Sequence, residues 1–118
     1  MGREDRFADG LSIWEQDDIV VVRLPSIIDA MHEESFEADL DELIEQGKLR
    51  IVLDCSELQL INSAGISTLI RLVLKAGETG GRITLADLPK DVEKVFFAVR
   101  LNKLLDTYPT VEEALRSY

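Results

Sequence analysis

Hydrophobic positions fall into short runs and helical stripes along the whole chain. Leu11 and Ile13, a polar break at Asp17 and Asp18, and an apolar run over 19–24 predict two strands joined by a tight acidic turn. Pro25 removes a backbone donor and ends the second strand, and the polar stretch 29–34 reads as a loop. Phe36, Leu40, Leu43 and Ile44 then recur at helical spacing with acidic residues on the other faces, and Gly47 supplies a C-terminal stop. Residues 49–53, interrupted only by Arg50, predict a largely buried strand closed by Asp54.

Ile66, Leu69, Ile70, Val73 and Leu74 lie on one face of a helix that begins at Ser63 and runs to about Ala76. Gly77, Gly80 and Gly81 break it, and 82–86 alternates as a further strand. Pro89 opens a helix carrying Val92, Val95, Phe96 and Val99 on one face, and 104–108 predicts a last short strand. Thr110 and Glu113 have capping-box spacing ahead of Ala114 and Leu115, so a terminal helix starts at Val111.

The alternation of these elements predicts an α/β fold: a mixed sheet of about five strands with about four crossover helices. At 118 residues the chain reads as one domain, 1–118, with the charged segment 1–10 a candidate flexible N-terminal arm. The composition, 46% apolar and 31% charged, is that of a soluble globular protein.

Charge narrows the function. Thirteen Lys and Arg against 23 Asp and Glu give a net charge of −10, whose summed field repels nucleic acid and anionic lipid surfaces. No apolar run approaches the roughly 18–20 residues that span a bilayer, so no membrane insertion is expected and a cytoplasmic location is inferred. Cys55 and His32 are the only residues of their types, which rules out an intrachain disulfide and the usual Cys/His zinc site. Cys55 reads as a small packed residue, His32 sits in an acidic stretch, and no Walker-type glycine loop is present, so no cofactor is expected and the chain does not read as an enzyme. Trp14, Tyr108 and the Phe96-Phe97 pair fit core or edge packing as well as an interface.

The turn over 54–65, between a strand end and a helix beginning, is where a ligand or modification belongs. Asn62, Ser63, Ala64 and Gly65 occupy the cap and first turn of the helix. Asn62 or Ser63 can simply cap it, contributing about 0.5–2 kcal/mol. The same unpaired amides and the positive end of the helix dipole can also hold a phosphate on Ser63, carrying about −1.5 to −2 charge, with Ala64 and Gly65 leaving the hydroxyl uncovered.

The stretches Ile51-Val-Leu-Asp-Cys-Ser-Glu-Leu and Leu60-Ile-Asn-Ser-Ala-Gly-Ile resemble the central motif of STAS domains. The resemblance extends to Leu24-Pro-Ser-Ile-Ile-Asp29 and to Gly80-Gly81-Arg82, and so covers nearly the whole chain. It implies a non-enzymatic switch of the anti-sigma factor antagonist type, a bacterial signalling module of transcription regulation by partner switching. Ser63 matches the serine that such antagonists offer to an anti-sigma factor serine kinase. Asp29 matches the acidic residue beside it, Asp54 the polar residue ending the third strand, and Gly65 the glycine opening the helix.

Asn62 stands where the family most often has Asp, and Ala64 replaces a second hydroxyl. Pro25, Ser26 and Ile27 also differ from the family's first loop. The implied cycle has unmodified protein bind the kinase through Asp29, the Ser63 turn and the exposed side of the following helix. Phosphorylation of Ser63 reverses this by weakening binding about a hundredfold or more, and a separate phosphatase removes the phosphate. Arg71 and Lys75, one turn apart, are candidate contacts to an acidic partner patch. Two alternatives stay open: a STAS scaffold or subunit of a signalling or transport assembly in which Ser63 only caps the helix, and a small-ligand or nucleotide sensor using the helix N-terminus as an anion site.

Overall fold

The computed structural model describes residues 4–6, 12–28 and 33–118. Its elements are β1 (Glu4–Arg6), β2 (Ser12–Gln16), β3 (Ile19–Arg23), β4 (Ile27–Ile28), α1 (Glu33–Glu45), β5 (Arg50–Asp54), β6 (Leu60–Ile61), α2 (Ser63–Glu78), β7 (Arg82–Ala86), α3 (Lys90–Ala98), a 3₁₀ turn (Leu101–Lys103), β8 (Asp106–Tyr108) and α4 (Val111–Arg116). The main sheet runs β1-β2-β3-β5-β7-β8, and β4 and β6 form a separate parallel pair. The α/β class, the mixed sheet and the four helices agree with the sequence pattern. Beyond the five expected strands the main sheet has a sixth at its edge, β1, which falls inside the segment read as a candidate arm.

The β2–β3 hairpin turns on Asp17 and Asp18, at φ 52° and 67°. Two successive left-handed residues form the turn whose twist matches the flanking strands, and Asp tolerates that conformation better than most side chains. From β3 onward the sheet is parallel, with Val21, Val52 and Thr84 in register on neighbouring strands. Side chains alternate between its faces. Val20, Val22, Ile51, Leu53, Ile83 and Leu85 face one core, closed by α1, α2 and α3 through Phe36, Leu40, Leu69, Leu72, Val92 and Phe96. Ile19, Val21, Val52 and Ala86 face the other, closed by Ala114 of α4 with Trp14, Tyr108, Val111, Leu115 and Tyr118 at its margin. Burial on both faces explains why 51–54 carries almost no alternation in sequence.

A helix as short as α4 is held by tertiary contacts. Thr110 Oγ1 accepts from the Glu113 amide at 3.1 Å, the cap anticipated from spacing. At its far end the Tyr118 hydroxyl donates to the Ile51 carbonyl at 2.5 Å, while the Arg82 guanidinium lies 4.9 Å from the centre of the Tyr118 ring. Arg82 also donates to Tyr108 Oη and Ser117 Oγ at 2.9 and 3.0 Å. This cation, stacked and hydrogen-bonded at once, ties β7 to the end of the chain. Among the described residues no helix is long and apolar enough to cross a membrane.

Leu69 is fully buried between α2 and the sheet. Leu69→Ala is expected to lower the unfolding free energy by about 2–5 kcal/mol, and Tyr118→Phe by about 1 kcal/mol, both read from urea titrations.

Candidate functional site

The site forms where β4, β6 and the start of α2 converge. Ser26 O accepts from the amides of Gln59 and Leu60 at 2.8 and 3.0 Å, Ile27 and Ile28 pair with Leu60 and Ile61, and the Asn62 amide donates to Ile28 O at 3.2 Å. The loop leaving β3 is therefore laced to the segment that enters α2. This two-strand clamp was not anticipated: a pair of dipeptides is too short for a periodic signal, although each is an apolar pair beside the predicted turn.

Gly65 lets the clamp close. A β-carbon there would sit 2.7 Å from Ile28 Cγ2 and 2.9 Å from both Ile28 O and Ile61 Cγ1. Any side chain at this position would push β4 away from the helix, so glycine is needed for proximity, with its buried place on α2 lending it to the seam.

Asn62 has extended backbone, φ −98° and ψ −179°, and its side-chain oxygen accepts from the Gly65 amide at 2.9 Å. Of the two residues that could cap α2, Asn62 is therefore the one that does. Ser63 is the first helical residue and is exposed, Ala64 is half-buried and Gly65 is buried. With the Asn62 and Gly65 amides taken, helix geometry leaves the Ser63 and Ala64 N–H groups without intrahelical partners at the positive end of the dipole. No acidic residue occupies the first turn of α2. Sequence reasoning thus brought Asn62, Ser63, Ala64 and Gly65 to one turn, as the structure has them.

The other expected residues divide. Asp29 lies outside the described residues; its predecessor Ile28 is the one bonded to the Asn62 amide. Asp54 ends β5 and is nearly buried, its Oδ1 accepting from the Ser56 amide at 3.0 Å and its Oδ2 lying 3.4 Å from Arg23 Nε. It holds the turn after β5 and neutralises Arg23. Next to it Cys55 is fully buried, and burial first, then the Asp54 charge, pushes its thiol well above the ordinary range. That environment suits a packed thiol, and a thiolate nucleophile would be disfavoured.

Arg71 and Lys75 turn toward α1. Arg71 pairs with Glu37, and Lys75 Nζ lies 2.8 Å from Asp41 Oδ1 and 3.6 Å from Glu45 Oε1. The hydrogen bond to Asp41 raises the Lys75 pKa above its usual value. Both cations are thus answered within the chain, binding the acidic helix α1 to α2. Facing outward on α2 are the exposed Ser63, Ser67 and Leu74, with Ile70 half-buried against the core between them. Leu74 is 60% exposed, and at the head of the helix Leu60 is 55% exposed beside Ile27. Large apolar side chains left in water next to an exposed hydroxyl mark a surface suited to a protein partner.

A family model for the STAS domain matches residues 11–114. BtrV of Bordetella bronchiseptica, named as an anti-sigma factor antagonist, is 28% identical over 86 residues, which cover 73% of this chain and 74% of that protein. Among solved structures, one titled as an anti-sigma factor antagonist from Thermotoga maritima superposes with a TM-score of 0.79 at 21% identity, covering 99% of this chain and 93% of its own. The Bacillus cell fate determinant SpoIIAA in its phosphorylated form superposes with a TM-score of 0.67 at 21% identity, covering 99% and 98%. At these identities the structural matches establish a shared fold.

Asn62→Ala is expected to cost about 0.5–2 kcal/mol of stability, whereas Asn62→Asp, which keeps a cap acceptor, is expected to stay within about 0.5 kcal/mol of the parent. Gly65→Ala is expected to cost about 1–3 kcal/mol, with amide shifts over 27–28 and 60–61 as the clamp opens. Urea unfolding and a heteronuclear spectrum of each variant check all three.

Proposed function

Since the chain belongs to the STAS domain family, we propose that it acts as an anti-sigma factor antagonist, a binding protein with no active site of its own, switched by phosphorylation of Ser63. The observation that carries this reading is that Asn62 makes the cap of α2, so the Ser63 hydroxyl has no structural duty there and stands exposed at the head of the helix. In the scaffold alternative Ser63 serves only as a cap, a role already filled. The likeness to SpoIIAA, a chain solved in a phosphorylated form, supports the same assignment.

In this reading unmodified protein binds a kinase-type anti-sigma factor through the Ser63 turn, the exposed Ile27–Leu60 rung and the outward stripe of α2. Asp29, directly after Ile28 in sequence, contributes the acidic contact. The kinase supplies ATP, magnesium and the phosphoryl-transfer groups, and this chain supplies the acceptor hydroxyl. Gly65 keeps the acceptor turn tight against β4, so the serine is presented on a rigid element.

A phosphate on Ser63 adds about −1.5 to −2 charge at the centre of that surface. The orphan Ser63 and Ala64 amides and the α2 dipole stabilise the dianion in the free protein. In the complex it must instead be desolvated next to Asp29 and the kinase surface, which opposes binding by several kcal/mol. Asp54 contributes less repulsion than its sequence position suggests, because Arg23 lies against its carboxylate. A separate phosphatase resets the switch. The chain works in the cytoplasm in this scheme, with the kinase and the phosphatase as its partners.

Intact-mass spectrometry of protein from its native host is expected to show one added phosphate, mapped to Ser63 and absent in Ser63→Ala. In binding assays with the copurifying kinase, Ser63→Ala is expected to bind as the parent does and Ser63→Asp about a hundredfold more weakly or worse. Equal binding by both variants, with no phosphate under growth or stress, would replace the switch by a constitutive scaffold.

A further inference from the structure

The α3 end of the molecule differs in character from the rest of the surface. Val92 and Phe96 bury one side of α3 against the sheet. Lys90, Lys94 and Phe97, at i, i+4 and i+7, occupy the opposite side. The chain then turns through Arg100, in the left-handed region at φ 62°, into the 3₁₀ turn and Leu104. Phe97, Val99 and Leu104 are 51%, 55% and 60% exposed, and Val95 is also exposed.

Among the described residues the cations here meet no carboxylate. Acidic residues outnumber basic ones by 23 to 13, and Arg23, Lys48, Arg71, Lys75, Arg82 and Arg116 each pair with a carboxylate. Among the described residues Lys90, Lys94, Arg100 and Lys103 form no ion pair, and neither does Arg50 on β5. Unpaired cations and solvent-exposed large apolar side chains thus coincide on one short segment of a strongly acidic protein.

We propose that this segment is a second docking surface, distinct from the Ser63 turn, and that its partner is an acidic protein surface bearing apolar side chains, such as an acidic amphipathic helix. Charge complementarity selects that chemistry. Asp91 and Glu93 interleave with the lysines, so a uniformly anionic bilayer would meet both signs and lose most of the attraction. A folded or helical partner can set a carboxylate opposite each cation and leave Asp91 and Glu93 facing water. Phe97 and Arg100 are of the residue types that dominate binding when surrounded by a polar rim.

The test uses the full chain, isotopically labelled, and a synthetic helical peptide with Leu at i, i+3 and i+7 and Glu at the other outward positions. Amide shifts are expected over 90–105 and not over 62–74. Affinity is expected to fall about tenfold or more in Lys94→Glu and in Phe97→Ser, and by a similar factor in the parent between about 0.05 M and about 0.5 M salt. The salt series needs no variant, so a misfolded variant does not leave the question open. Shifts elsewhere or none, equal binding of the same peptide with Lys for Glu, capture by phosphatidylglycerol vesicles in place of the peptide, or self-association lost in the same variants would each overturn the proposal.

Discussion

The backbone at Ile28 approaches α2 to a distance that leaves no room for a side chain at residue 65, and the geometry of the site follows from that contact. With β4 seated there, Ile28 O is in reach of the Asn62 amide, Ile61 is in register with Ile28, and the loop leaving β3 ends beside the first turn of α2. Asn62 then turns its side chain inward to the Gly65 amide. Ser63 is left facing water at the end of a rigid helix, a hydroxyl positioned by its neighbours and bound by none of the caps around it. The geometry of this turn depends on a residue that does no chemistry.

The sheet beneath is asymmetric. One face carries three helices and the larger core; the other is covered by α4, six residues long, with Arg82 and Tyr118 fastening its end. Charge is distributed just as unevenly. The carboxylates of α1 are partly answered by Arg71 and Lys75 of α2, which turns a repulsive acidic helix into a partner for its neighbour. What α2 then offers in exposed positions besides them includes serine and leucine, while four of the cations without an ion pair among the described residues lie on or just after α3. Two surfaces of different chemistry result.

Several elements could be read from the chain because each carries its own local signal. The Thr110–Glu113 cap, the acidic hairpin turn and strand 82–86 all come from residues within one or two turns of each other, and the structure has them in place. Where readings shifted, a distant contact was responsible. The last strand was expected from 104 and begins at Asp106, because Leu101 and Leu105 are drawn into the core and the chain between them closes as a 3₁₀ turn. The edge strand β1 is charged throughout, and only pairing with β2 makes it a strand. The pairing of Arg71 with Glu37 and of Lys75 with Asp41 had no signal in the sequence, because periodicity gives the face of a helix but not what packs beside it.

The order of elements, the buried strands and the turn that holds Ser63 are determined by the sequence itself, since hydrophobic period, proline, glycine and cap residues act over a few positions. Which of Asn62 and Ser63 caps α2, that Asp54 meets Arg23, and that Arg71 and Lys75 of α2 are paired while, among the described residues, the cations near α3 are not, were decided only by tertiary structure. The Arg23–Asp54 and Asp41–Lys75 pairs join groups 31 and 34 residues apart, brought within reach by packing, and no local pattern encodes that distance.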